Sequence, residues 1–284
     1  MILPWFHSLM LAFRFPFPDC GVTYLKKRMA TVLIQGASRG LGLQFARALA
    51  ARDSVTTVLA TCRRPEQAEE LRSLPKVQVL PLDVTSETSV AAAAQQAAAA
   101  TAGLDLLVNC SAILHPSGRG ETSLRDVSLA GLQETFNTNT FGPLLVAKHF
   151  APLLQAGSGA LGVQSEDAKQ RHAAVLVNMT AKVGSTTENV LGGWYSYRMS
   201  KAALNMATKN LSIELGRGRK KVLCVGLHPG TVDTDLSRPY HKNVPAGQLL
   251  SPERSVSHLL AIVDRLTVAD SGRVFVWSGE PLAF

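Results

Sequence analysis

The chain is poor in features that would settle its class at a glance. Its four cysteines, Cys20, Cys62, Cys110 and Cys224, show no paired spacing, which argues against a disulfide framework. The last three lie in or at the ends of apolar stretches that read as strands. Buried, reduced thiols are the natural reading, and they go with a cytoplasmic compartment. Charged residues make up only 18% of the chain against 46% hydrophobic, so it can bury a full core and does not have the composition of a disordered protein. Long apolar runs are missing as well. Met1 to Phe13 is apolar apart from His7 and Ser8, but thirteen residues are too few to span a bilayer, and Pro4, Pro16 and Pro18 oppose a long helix. The positive charges, Arg14 and Lys26-Lys27-Arg28, follow the apolar run instead of preceding it, the reverse of a secretory signal. Residues 1–28 therefore read as an N-terminal extension, with a mitochondrial or membrane-associated role as the minor alternative, and 29–284 as one domain without a linker. The sequence carries no internal repeat and no metal-ligand cluster. Its seven histidines are scattered, and His228, before Pro229, reads as structural. The net charge of +8 raises the question of nucleic acid. The densest basic run, Arg217-Gly-Arg-Lys-Lys221, falls where a helix should end, and cations there meet the helix dipole favourably. A solvated helix terminus accounts for it, and no nucleic-acid partner is expected.

What is present is an alternation of strands and helices. The apolar stretch Thr31 to Gln35 runs into Gly36-Ala-Ser-Arg-Gly40-Leu-Gly42 and then into a helical periodicity reaching Leu49. A strand feeding a helix N-terminus through glycines lets backbone N–H groups and the dipole receive a pyrophosphate. Gly36, Ser38, Arg39, Gly40, Leu41 and Gly42 are the candidate contacts. A second strand, Thr56 to Thr61, ends in Cys62-Arg63-Arg64, where NAD sites usually carry an acid for the ribose 2′-hydroxyl. Arg63, with Arg39 reaching from the glycine turn, instead suits the 2′-phosphate of NADP. Strands at Val77 to Leu80 and Leu104 to Val108 lead into Asp83-Val84 and Asn109-Cys-Ser111, separated by an alanine-rich helix over Glu87 to Ala102. The most polar interruption, Gly157 to Arg171, reads as a surface loop before a strand at Val175. The alternation predicts an α/β fold, a doubly wound parallel sheet with helices on both faces and ligands at the carboxyl ends of its strands.

Tyr197 and Lys201 stand four residues apart in a run, Tyr195 to Gly216, that reads as helix. They share a helix face, so the ammonium can retune a phenol that otherwise titrates too high for acid-base work at neutral pH. In combination, the glycine turn, Asp83, Asn109, Asn139 within Phe136-Asn-Thr-Asn-Thr-Phe-Gly142, the Tyr197/Lys201 pair and Pro229-Gly230-Thr-Val-Asp-Thr234 resemble the short-chain dehydrogenase/reductase family. Within it the chain is similar to the carbonyl-reductase-like branch that includes C-factor and sniffer proteins. The resemblance covers about Ala30 to Phe284 and implies a Rossmann-like domain, NADP(H) as cofactor and a small carbonyl substrate; a homo-oligomer is compatible with it, and the shortness of the apolar run leaves no stable membrane span to expect. It implies that Tyr197 protonates the carbonyl oxygen, that Lys201 holds the nicotinamide ribose, and that Asn139 holds a water relaying protons to Lys201. Asp83 and Val84 would contact the adenine, Asn109 and Ser111 the adenosine side of the cleft, and Pro229, Gly230, Val232 and Thr234 the carboxamide end.

Two departures from the family pattern stand out. Asn-Cys-Ser-Ala replaces Asn-Asn-Ala-Gly at Asn109, and Val177 to Ser185 lacks the serine that polarises the substrate carbonyl, with Thr180 and Ala181 in the two serine places. The expectation is that a neighbouring hydroxyl substitutes, Ser185 ahead of Thr180. Trp194, Tyr195 and Tyr240 are candidates for an apolar substrate pocket. The sequence reads as an NADPH-dependent carbonyl reductase. The alternative is a cofactor-binding regulatory or interaction protein with little catalytic power. Sugar-nucleotide epimerases rank third, because the chain has no room for their appended domain.

Overall fold

The computed structural model describes residues 28–284, so the readings that fall on residues 1–27, Cys20 and the apolar run among them, lie outside the described residues. Seven strands form the main sheet: β1 (Ala30–Gln35), β2 (Val55–Cys62), β3 (Val77–Pro81), β4 (Leu106–Asn109), β5 (His172–Met179), β6 (Lys221–His228) and, after two short strands β7 (Thr231–Val232) and β8 (Leu249–Leu250) that pair with each other, β9 (Val274–Val276). The order is β3-β2-β1-β4-β5-β6-β9 and every pairing is parallel. The helices are α1 (Gly40–Ala50), α2 (Glu69–Ser73), α3 (Glu87–Ala100), α4 (Leu129–Phe136), α5 (Gly142–Gln155), α6 (Tyr195–Glu214) and α7 (Pro252–Arg265).

The strands are apolar at almost every position because both faces of the sheet are covered. Alternate residues divide between two cores, as the period of two requires. Val32 and Ile34 of β1, Val108 of β4 and Val175 and Val177 of β5 pack on the side of α1 and α7. Leu33, Leu107, Ala174 and Leu176 pack on the side of α3 and α5, where the far end of α6 adds Leu211. The doubly wound parallel sheet expected from the alternation is the fold. The alanine-rich helix faces the second core with Val90, Ala93, Ala94 and Ala97, a stripe at helical spacing whose small side chains allow a close approach to the sheet.

The expected strand at Leu104 to Val108 starts two residues later. Its first turn is taken over by Asp105, whose buried carboxylate accepts the N–H groups of Thr31 (2.9 Å) and Ser158 (2.8 Å) and the Ser158 hydroxyl (2.7 Å), tying β1 and β4 to the loop before β5. Residues 157–171 form that loop, with one helical turn at Ala168–Gln170. Because β1 lies beside β4, the chain turns outward in opposite directions after these two strands. A crevice opens between their carboxyl ends.

Candidate functional site

A cavity of about 800 Å³ occupies that crevice. One wall is the turn Gly36 to Gly42. Gly36 and Gly40 have φ of 79° and 55°, which favours glycine, and a Cβ on Gly42 would come within 2.1 Å of the Gly36 carbonyl oxygen. No side chain caps the N-terminus of α1, so its first N–H groups are left for an anion. The ends of β2, β3 and β4 supply Cys62 and Arg63, Asp83 and Val84, and Ser111 to the other walls, and Thr234 closes the cavity from the loop beyond β7. Ser38, Arg39 and Leu41 also line it, so most of the expected cofactor residues are brought together. A dinucleotide fits this set: a glycine cradle that any Cβ would fill, beside an uncapped helix N-terminus. Arg63 is exposed at the wall, and Arg39, also exposed, pairs at 3.2 Å with Asp235. Gln35, not singled out in the sequence, joins the two sides of the crevice. Its amide donates to the Ser111 hydroxyl at 2.6 Å and its carbonyl accepts the Ser111 N–H at 3.1 Å.

Other expected contacts lie elsewhere. Asn109 is buried and its amide donates to the Asn178 side chain at 2.8 Å, so it braces β4 against β5 and does not line the cavity. Pro229, Gly230 and Val232 are likewise outside the cavity walls. The Val232 carbonyl accepts from the hydroxyls of Ser237 and Thr234, which shapes the loop that presents Thr234.

Tyr197 and Lys201 occupy the first two turns of α6, both buried. The Lys201 ammonium donates to the Met179 carbonyl at the end of β5 (2.8 Å) and stands 5.8 Å from the centre of the Tyr197 ring. Burial pushes the ammonium down to about 8, with a smaller opposing pull from Cys110. Burial pushes the Tyr197 phenol up, to about 12. The expected lowering of the phenol by Lys201 is therefore not the balance found: desolvation wins, and the phenol keeps its proton at neutral pH. Asn139 sits in a π-helical turn, Asn137–Phe141, between α4 and α5. Its amide donates to the Ile113 carbonyl (2.8 Å) and the Ser200 hydroxyl (3.1 Å) and accepts the Ile113 N–H (2.9 Å). It thus ties a cavity-wall residue to the helix that carries Tyr197.

The two hydroxyls expected to stand in for a serine at Ala181 are engaged by other parts of the chain. Ser185 is buried and donates its one proton to the Ala283 carbonyl. Thr180 donates to the Asn205 side chain at 2.6 Å. Both are committed elsewhere, while Ala181 packs with Leu114 against Tyr197. Trp194 and Tyr240 complete this cluster: their ring centres are 4.6 Å apart, and the Trp194 ring meets Tyr197 edge-on at 6.2 Å. Tyr195 is not part of it.

Residues 30–245 match the family model described as short chain dehydrogenase. The chain belongs to the short chain dehydrogenase family. An uncharacterized oxidoreductase of Schizosaccharomyces pombe is 32% identical over 88% of this chain and 96% of its own length. The C-signal protein of Myxococcus xanthus is 37% identical over 63% of this chain and 92% of its own. Among solved structures, an NADPH-bound carbonyl reductase from chicken fatty liver aligns with a TM-score of 0.78 at 33% identity, covering 90% of this chain and 100% of that one. The carbonyl reductase Sniffer of D. melanogaster gives 0.78 at 30% with the same coverage. The chain is thus an oxidoreductase-family protein with carbonyl reductases as structural neighbours.

The buried ammonium generates a direct expectation. In a ¹³C-lysine NMR titration, Lys201 loses its charge with a midpoint near pH 8, well below the exposed lysines. A Lys201 signal that titrates together with the surface lysines would contradict the burial argument.

Proposed function

We propose that this dehydrogenase reduces an aldehyde, ketone or quinone with NADPH, Tyr197 serving as proton donor. The observation that carries the proposal is the buried Tyr197–Lys201 pair beside the glycine-lined cavity, with the phenol protonated at neutral pH. The NADPH-bound state of the chicken carbonyl reductase supports the choice of cofactor. When bound, the nicotinamide supplies the hydride that goes to the carbonyl carbon. The chain's own residues do the rest. The glycine turn and the α1 N-terminus bind the pyrophosphate, and Arg63 pairs with the 2′-phosphate, joined by Arg39 once it leaves Asp235. Tyr197 gives its proton to the carbonyl oxygen, and the Lys201 ammonium stabilises the negative charge left on the phenol and holds the nicotinamide ribose. Asn139, through Ile113 and Ser200, fixes the cavity wall relative to α6 and keeps one acceptor lone pair for a water on the path to Lys201. The regulatory reading has one specific observation in its favour, Ala181 with both neighbouring hydroxyls committed elsewhere.

A screen of aldehydes, ketones and quinones for NADPH oxidation tests the proposal. Tyr197→Phe is expected to abolish turnover while leaving NADPH affinity nearly unchanged; a Phe variant as fast as wild type removes Tyr197 as the acid.

Cofactor preference follows from Arg63 and from Cys62 in the acid position. A charge-assisted contact is worth about 1.5 to 3 kcal/mol, so NADPH should bind at least about tenfold tighter than NADH, and Arg63→Ala should narrow the gap by weakening NADPH. Equal dissociation constants for the two cofactors in the wild type would overturn it.

Ala181 makes a third expectation. Removing one donor aimed at a developing oxyanion typically costs about 100- to 1,000-fold in rate. With Ser185 and Thr180 engaged, Ala181→Ser is expected to raise single-turnover hydride transfer by at least about tenfold at unchanged NADPH affinity. An unaltered rate would show that another group already fills the role.

A further inference from the structure

We infer that Glu121 is a positioning residue for Tyr197, its buried carboxylate serving as the missing cap of α6. The inference rests on the proposed role of Tyr197. Helix α6 begins without a cap of its own: the residue before it is Trp194, in the left-handed region at φ 50°, and no side chain of the cap position accepts a bond from the first turn. The N–H groups of the first turn need partners, and in a buried helix start they cannot come from solvent. Glu121 reaches them from the loop after β4. Its carboxylate accepts the Ser196 N–H at 3.2 Å and its main-chain carbonyl accepts the Trp194 N–H at 2.6 Å. One residue therefore grips the chain at two points immediately before Tyr197.

The carboxylate is 1% exposed. Burying such a group is costly unless charge and hydrogen bonds offset it. Here the α6 N-terminus supplies positive potential, and the His115 imidazole lies 4.0 Å away, seated against Gly131, where a Cβ would come within 2.4 Å of its Nε2. The offset is incomplete: Glu121 Oε2 has no hydrogen-bond partner among the described residues, and neither do Ser196 Oγ and His115 Nε2. Packing alone does not favour a carboxylate in such a place. Its yield is geometric. Trp194, held by Glu121, covers the Tyr197 ring edge-on, and Tyr240, tilted against Trp194, accepts the N–H of neighbouring Gly120 through its hydroxyl at 2.8 Å. A Cβ on Gly120 would meet the Trp194 ring at 2.5 Å. Gly120 and Glu121 thus fix both the helix that bears the phenol and the aromatic cover over it.

The test compares Glu121→Gln, which keeps an acceptor for Ser196, with Glu121→Asp, which keeps the charge but withdraws the acceptor by one methylene, and with Glu121→Ala. A misplacement of about 1 Å can cost about 100-fold in rate. At saturating NADPH the Asp and Ala variants should lose about 20- to 100-fold in kcat, with KM for the carbonyl and Kd for NADPH within about threefold, while Gln stays within about fivefold of wild type. If Ala does not fold, the Asp and Gln pair decides. Asp equal to wild type, or Gln as damaged as Asp, overturns the inference, as does a loss confined to melting temperature. Hydrogen exchange of residues 195–198 in the NADPH complex separates this failure from that of the proposed reaction. A wild type inactive on every carbonyl refutes the reaction, whereas unchanged exchange in the Asp and Ala variants refutes the positioning role.

Discussion

A lysine ammonium in the interior is the constraint around which this site is arranged. Lys201 is 2% exposed, and an ammonium removed from water must find polar atoms or lose its proton. It finds the Met179 carbonyl, the last of β5, which fixes the second turn of α6 against the end of that strand. The approach requires Gly184, because a Cβ there would come within 2.8 Å of the Lys201 Cβ and 2.9 Å of its main-chain carbonyl carbon. Once α6 is seated on β5 in this way, Tyr197, one turn earlier, lies against Leu114 and Ala181, and Asn139 reaches the same helix through Ser200. The phenol, the amide and the wall at Ile113 thus take their places from one buried charge.

The crevice is the second constraint, and it is independent of the first. Parallel strands that diverge from β1 and β4 leave their carboxyl ends uncovered, and the glycine turn brings the α1 N-terminus to that opening. Under the proposed reaction, binding and chemistry fall to different elements. The turn after β1 and the ends of β2 and β3 would shape the dinucleotide side, and β5, α6 and the π-helical turn the reacting side. Gln35 and Asn139 are the links, the first across β1 and β4 through Ser111, the second from α6 to Ile113. Changes on one side can therefore leave the other intact.

Much of this was legible in the sequence because its signals are local. The apolar runs of β1, β4 and β5 are short and uninterrupted, the glycine turn has one conformation it can serve, and residues four apart on a helix share a face wherever the helix goes. The misreadings concern partners distant in the chain. Ser185 stands close to Ala181 in sequence, but its proton goes to Ala283, 98 residues on. Asn109 ends a strand whose last side chain turns inward to Asn178. The titration of Tyr197 was misjudged for a related reason: the helical spacing shows that a cation is near, but only the fold shows how completely water is excluded. Glu121 gave no signal at all, since a cap supplied from 75 residues upstream leaves no pattern near the helix it serves.

Under the proposed reaction, magnitudes indicate how far Lys201 offsets Ala181. A hydroxyl aimed at a developing oxyanion is worth about 2.7 to 4 kcal/mol. A unit charge at the 5.8 Å that separates the ammonium from the centre of the Tyr197 ring contributes about 3 kcal/mol at an effective dielectric of about 20. The two are of similar size, but they act at different atoms. The ammonium favours negative charge on the phenol after it gives up its proton, whereas the missing hydroxyl would favour charge on the carbonyl oxygen before the proton arrives. With Lys201 in place and Ala181 at the serine position, the cation eases the departure of the proton from the phenol, while the charge that develops on the carbonyl oxygen has no second donor from the serine position.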